Sequence, residues 1–497
     1  MVGLPFIGTT VSNDDYDSLT LIRQTDASIN NIITPHFSTQ TMGIHKGVAA
    51  ALCLSKMTTR KSIAIVGGGI TGSCAAAELA EHFEQVAVYD QGRRGPGGRA
   101  SHRSVNAADG TVLADDSILE PFDATTFEFD HGCQFFRADS SEMKTHVETW
   151  CANGWAAPWN GRFGSLQNPD SEDPVDFFGV PTLSEPIYAG VGGMQQLPRR
   201  ILDSSNAKVH RGTRVSSIRK DAKGEKWELL GMVGEAAYHD TKESEASKTT
   251  EQVIGTADAV LLTDISSSAE SWHRASAGIP DSLRQQLPPR VRVPLFSCMV
   301  ALSQPIGDLL PYDGFTGGSD SSLWFASRSQ SKPGFPKCSA ECWTLISTPS
   351  FAVEEISETT LRDPVTGAFR PQENNYLNTT PGPALFSAFL DAVKPYLEGQ
   401  SIPEATYLQA QRWGSGIPTP EHVAQDIHEI LGTRYVSKLH SSLVYPRADD
   451  ETKDFVADDS EQLYYAGDFI SNRCPGFEAA ALSGVDAAKY IIETVKD

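Results

Sequence analysis

The apolar positions of this chain fall into short β-branched runs that end in glycine or an acid and alternate with stretches of helical period. Residues 62–66 (SIAIV) are such a run, followed by three glycines and then by residues 70–82, where Ala75, Ala76, Leu79 and Ala80 recur on one face. This pattern predicts a strand, a tight turn and a helix. Residues 86–89 (VAVY) predict a second buried strand ending at Asp90, closing a right-handed βαβ unit of about thirty residues. Runs at 209–218, 227–232 and 257–263 predict strands that return to this first sheet after a helix over 193–203. Strands over 295–302 and 342–347, with a helical stretch at 383–397, predict a second region. A strand over 462–467 and a terminal helix over 476–495 lead back to the first. The polar stretch 101–128 predicts a loop or hairpin insertion with no recognisable chemistry, 234–251 a solvated loop and 360–381 a surface insertion.

At 497 residues the chain exceeds the size at which one hydrophobic core keeps growing, so two packed domains are expected. A net charge of −22 and a pI near 5.0 repel phosphate backbones, and no basic cluster denser than Arg93-Arg94 or Arg199-Arg200 reverses this locally. Nucleic acid is not an expected partner. No apolar run approaches the roughly 20 residues that span a bilayer, so no integral membrane segment is expected. The eight cysteines are scattered without CxxC spacing and read as reduced thiols, with Cys338 and Cys342 the nearest approach to a metal or redox pair and no metal expected. Residues 1–56 lack periodicity and read as a disordered extension, a targeting segment, or a stretch upstream of a true start at Met57. Asp14, Asp15, Asp17 and Asp26 speak against an ordinary transit peptide. Whether the chain is cytoplasmic or organellar turns on that extension.

Gly67, Gly69 and Gly72 have GxGxxG spacing between strand and helix. The first glycine permits the turn, the second lets a pyrophosphate approach the backbone, and the third lets helix and strand pack. The first helical N–H groups, around Ile70 and Thr71, face the phosphates. Asp90, eighteen residues after Gly72 and followed by Gln91, can accept hydrogen bonds from an adenosine ribose. This favours FAD or NAD over NADP, and spacing alone does not separate the first two.

Three further segments do. Gly95-Pro96-Gly97-Gly98-Arg99, Phe129-Asp130-His131-Gly132-Cys133-Gln134-Phe135-Phe136 and Tyr465-Ala466-Gly467-Asp468 resemble motifs of the flavin-containing amine oxidase superfamily. The likeness is nearest to its renalase-like branch, whose DHGAQYF signature the middle segment matches except at Cys133 and Phe135. It extends from Lys61 to the C-terminus, broken by three insertions, and is more specific in the nucleotide-binding motifs than in the second region. The resemblance implies an α/β fold, with a Rossmann-like FAD-binding domain of glutathione-reductase type (residues 57–140, 190–265 and 446–497). An α+β substrate domain (141–189 and 266–445) is inserted in it. It also implies FAD held by Gly67, Gly69, Ile70, Thr71, Gly72, Asp90, Gln91, Gly98, Arg99, Gln134, Val215, Gly467 and Asp468. Cys474 follows the late Gly-Asp motif, unlike the attachment cysteine of covalent relatives, so the cofactor is expected to be non-covalent. Bland alternatives stand beside these roles: Val215 as core, Asp468 as a turn cap, Trp413 as core rather than a wall for a flat substrate, and Arg412 as a surface ion pair rather than an attractor of anions.

The activity implied is oxidation of isomeric dihydro-NAD(P), or a related small substrate, by hydride transfer to flavin with oxygen as acceptor. A flavin amine oxidase, with Tyr464, Tyr465 and Trp413 walling a small amine, is the alternative. A non-catalytic binding protein on the same fold, similar to GDP-dissociation inhibitors, is an alternative of another class. No catalytic residue is identifiable.

Overall fold

The computed structural model describes residues 61–92, 94–113, 125–166, 186–234, 251–317, 321–336, 340–358, 375–397, 399–421 and 453–495. The first apolar run forms the strand Ser62–Val66 inside a six-stranded sheet. Its spatial order is Phe455–Asp458, Leu463–Ala466, Ala259–Leu262, Ser62–Val66, Gln85–Tyr89 and Lys208–His210. All neighbours are parallel except the first pair, so the sheet is assembled from both ends of the chain. Helix Ile70–Leu79, shorter than the periodicity predicts because the chain turns after Leu79, packs on the terminal helix Phe477–Thr494. Small residues let them touch: a Cβ on Gly484 would stand 2.3 Å from the Thr71 carbonyl oxygen.

Not all the predicted strands return to this sheet. Thr213–Lys220, Trp227–Val233 and Gln252–Ala257 form a separate antiparallel sheet, and the run 257–263, which reads as one strand, is split at Asp258. The Asp258 carboxylate accepts from the Ser62 N–H at 2.8 Å and the Ser62 hydroxyl at 2.6 Å. These bonds pin the corner where the chain leaves one sheet and enters the other. Apolar side chains of both sheets, among them Val66, Tyr89, Val215 and Trp227, share one core.

A second six-stranded sheet runs Ala405–Pro420, Arg290–Leu302, Glu341–Ser347, Leu323–Arg328, Gly314–Thr316 and Phe163–Ser165. Alternation sorts its residues. Phe296, Cys298, Val300 and Leu302 pack with Leu385, Phe389 and Val393 of helix Pro381–Val393. Met299 and Ala301 pack with Val105, Phe127 and Phe129. Val105 and Phe127 belong to the stretch expected to be a loop or hairpin without chemistry, and Phe129 follows directly on it. Of the two forms expected it takes the hairpin, an antiparallel ribbon of His102–Asn106 with Thr126–Asp130 laid on the second sheet.

Residues 1–56, Arg93, Asp115-Asp116, Cys338 and most of the 234–251 and 360–381 stretches lie outside the described residues. Among the described residues, no helix is long and apolar enough to cross a membrane, and no cluster could hold a metal ion.

Candidate cofactor and substrate site

Two glycines of the first turn answer to the protein's own packing. Gly67 has φ +105°, and a Cβ there would lie 2.7 Å from Thr263 Oγ1; on Gly72 it would lie 2.0 Å from the Gly67 carbonyl oxygen. Gly69 differs. Its φ of −72° suits any residue, and its Cβ would meet nothing nearer than 3.9 Å, at Gly97 and Gly98. Nothing within the chain requires a glycine there. Gly69 also stands at the N-terminus of helix Ile70–Leu79, which has no side-chain cap and no acid in its first turn. Free N–H groups and the positive helix end make that position suited to an anion.

Asp90 ends the second strand, and its carboxylate accepts from the Gly68 and Gly92 N–H groups, each at 2.8 Å. Burial raises its pKa, and the two amides and Arg199 oppose the rise. Each carboxylate oxygen keeps a lone pair for a further donor. Gln91 is exposed beside it, while the Val215 side chain is buried in the core between the two sheets.

The two ends of the chain meet at Arg99. Its guanidinium donates to both oxygens of Asp468, at 2.8 and 2.5 Å, and to the Gly416 carbonyl at 3.3 Å. Gly98 lies against Gly69, its Cβ position 3.3 Å from the Gly69 Cα. Gly467 donates its N–H to Ser483 on the terminal helix at 2.8 Å. Cys133 donates its N–H to the Arg99 carbonyl at 2.7 Å, and a Cβ on Gly132 would lie 3.2 Å from the Trp413 ring. Trp413 Nε1 donates to the His131 carbonyl (2.9 Å) and Ser297 Oγ (3.2 Å), and its ring stacks on that of His131 with centroids 5.5 Å apart. One surface therefore runs from Gly69 through Gly98, Arg99 and Gly132 to Trp413, with Asp468 behind Arg99.

Arg412 is not on it. Strand alternation, with Phe296 as its cross-strand partner, directs Arg412 to the helix-covered face near Tyr376, opposite Gln411 and Trp413. Tyr464 and Tyr465 cannot wall in an amine either: both are fully buried, in two different cores. Burial pushes the Cys133 thiol up to about 11 and the Cys474 thiol up to about 12, so both stay protonated.

The ribbon carries a buried charge cluster that the sequence reading missed. His102 places Nδ1 at 3.0 Å from Asp130 and Nε2 at 2.7 Å from Glu128. Lys332 lies 3.0 Å from the other Asp130 oxygen and 3.0 Å from Gln134 Oε1. Gln134, expected at the cofactor, thus buttresses the 130–133 turn from behind, donating to the Asp130 and Gly132 carbonyls at 2.7 and 2.8 Å. Polar residues alternating at 102 and 104, and at 128 and 130, were the available signal for a charged ribbon face. Nothing local announced Lys332.

Burial alone would lower the His102 pKa, but hydrogen bonds to Asp130 and Glu128 outweigh it and push the value up to about 9 from an ordinary 6.5. A raised folded-state pKa adds stability that is complete below about 6.5 and is lost as pH rises through about 9. Melting temperature is therefore expected to fall over that window, and the fall should flatten in His102→Gln. An unchanged slope in the variant would assign the loss to other groups.

Residues 65–149 match the NAD(P)-binding Rossmann-like domain family. With the parallel sheet and the glycine turn, this defines an α/β protein with a Rossmann-like nucleotide-binding domain. Among solved structures, the chain is similar to a CLA-producing fatty acid isomerase from P. acnes, at 9% identity and a TM-score of 0.46, over 88% of this chain and 99% of that one. It is also similar to cyclohexylamine oxidase from Brevibacterium oxydans IH-35A, at 13% identity and a TM-score of 0.45, over 88% of this chain and all of that one.

Proposed function

We propose that the chain is a flavin-dependent oxidoreductase that holds FAD without a covalent bond. The observation that carries this reading is the meeting of Arg99 and Asp468 beside the Gly69–Gly98 contact. A dinucleotide alone needs only the first βαβ unit, whereas a cofactor that continues past its pyrophosphate needs partners from elsewhere in the chain. Gly67, Gly69, Ile70, Thr71 and Gly72 would hold the pyrophosphate, Asp90 and Gln91 the adenosine ribose, and the Val215 backbone the adenine edge. Gly98, Arg99, Gly467 and Asp468 would hold the remainder, with Gln134 supporting the turn beneath. In this reading residues 57–140, 190–265 and 446–497 form the FAD domain, and 141–189 and 266–445 the substrate domain.

FAD, when bound, supplies a ring that accepts a hydride from an oriented substrate. The chain's part is orientation and exclusion of water. Trp413, held by the His131 carbonyl and Ser297, offers a fixed flat wall. The burial of Tyr464 and Tyr465 weighs against an amine cage and in favour of the renalase-like activity: oxidation of isomeric dihydro-NAD(P), with oxygen as acceptor. Anaerobic mixing of the holoprotein with isomeric dihydronicotinamides and with a panel of amines tests it. Bleaching of the flavin absorbance by the dihydronicotinamides is the expected result, and bleaching by amines alone would overturn the choice of substrate.

A further inference from the structure

Cations drawn wholly or partly into this protein are paired with carboxylates in several places, the buried Lys332 with Asp130 and the partly buried Arg99, Arg328 and Arg473 with Asp468, Asp313 and Asp454. Arg103 is an exception. It is 9% exposed, and its terminal nitrogens donate to two neutral amides, Gln409 Oε1 at 2.6 Å and Gln411 Oε1 at 3.2 Å, with the Tyr407 hydroxyl nearby. No carboxylate pairs with it among the described residues, and its Nε has no partner. A buried guanidinium without a counter-charge is costly, and a protein of net charge −22 has no shortage of acids to supply one.

A second unpartnered group lies beside it. His131 is 6% exposed, and burial and the nearby Arg103 charge hold its pKa well below the ordinary value, so its ring is neutral. One ring nitrogen bonds the His102 backbone and Nδ1 has no partner, which leaves Nδ1 as a bare acceptor. Trp413 stacks on that ring. Tyr407, Gln409, Gln411 and Trp413 share one face of their strand and are each only half-buried, so this wall is open to solvent on one side.

We propose that Arg103 and Gln411, with Trp413 and His131, form a subsite for a planar aromatic ligand that bears an oxyanion, carboxylate or phosphate. The guanidinium takes the anion, Trp413 flanks the ring, and His131 Nδ1 receives a donor from it. This rests on the flavin reading above and deepens it by assigning an anion contact beside the flat ring, which the phosphates of dihydro-NAD(P) would fill, and it moves the anion-recognising role from Arg412 to Arg103.

Titration of the purified full-length chain with benzoate, phenyl phosphate and benzamide, followed by calorimetry, tests it. At least one anion is expected to bind about tenfold or more tightly than the neutral amide, and the tighter of the two identifies the oxyanion taken. The preference should vanish in Arg103→Gln. It should also vanish in Gln411→Glu, an isosteric change that gives the guanidinium an internal carboxylate and should raise the melting temperature. Equal binding of all three probes to the wild-type chain, or a preference surviving in Gln411→Glu, would overturn the proposal. FAD content measured on the same samples keeps the two readings apart: an anion preference in a chain that holds no FAD would retire the flavin reading and leave Arg103 in its role.

Discussion

Gly69→Val is expected to leave the fold intact while weakening FAD binding by about a hundredfold or more. The residue sits at φ −72°, and a Cβ there would make ordinary van der Waals contact at 3.9 Å with Gly97 and Gly98, so a side chain strains neither the backbone nor these neighbours at its Cβ. What it fills is the approach to the uncapped N-terminus of helix Ile70–Leu79, where a pyrophosphate has to come within contact distance of the backbone. Gly72→Val makes the contrast, because its Cβ would collide with the Gly67 carbonyl at 2.0 Å and prevent folding outright. Melting curves of the apoprotein and FAD titrations separate the two effects. Unimpaired FAD affinity in Gly69→Val would show that the cofactor does not pass this glycine.

Arg99→Ala is expected to destabilise the protein by about 3–5 kcal/mol, and Asp468→Asn by only about 1 kcal/mol. The asymmetry follows from unequal burial of the pair: the Asp468 side chain is 2% exposed and that of Arg99 35%. Removing the arginine strands a carboxylate out of reach of water, whereas removing the carboxylate leaves a guanidinium that still touches solvent and the Gly416 carbonyl. Urea denaturation of both variants measures the difference. Equal losses would mean that the pair is bridged or screened in a way these contacts do not provide.

Features whose cause is local were legible in the sequence. The strand Ser62–Val66, the glycine turn, the helix that follows and Asp90 were readable because buried parallel strands are continuously apolar and because Gly67 and Gly72 answer to contacts within a few residues or one neighbouring strand. The split at Asp258 was not, since it depends on Ser62, far away in sequence, donating to the Asp258 carboxylate at the corner. The ribbon from His102 read as a loop or hairpin without chemistry for the same reason: its polar side chains are satisfied by one another and by Lys332, which arrives from about two hundred residues downstream. Arg412 drew attention because it stands next to Trp413, yet adjacent residues of a strand face opposite ways, and Arg103 across the interface was invisible until the ribbon had been laid on the sheet.

The central claim is that both ends of the chain build one site for FAD. It is tested most directly by the absorbance spectrum of the purified full-length protein after saturation with FAD and removal of the excess, followed by denaturation and quantification of what is released. The account predicts flavin bands on the native protein and release of intact FAD, in an amount equal to the protein. A colourless protein that retains no FAD under these conditions would contradict it.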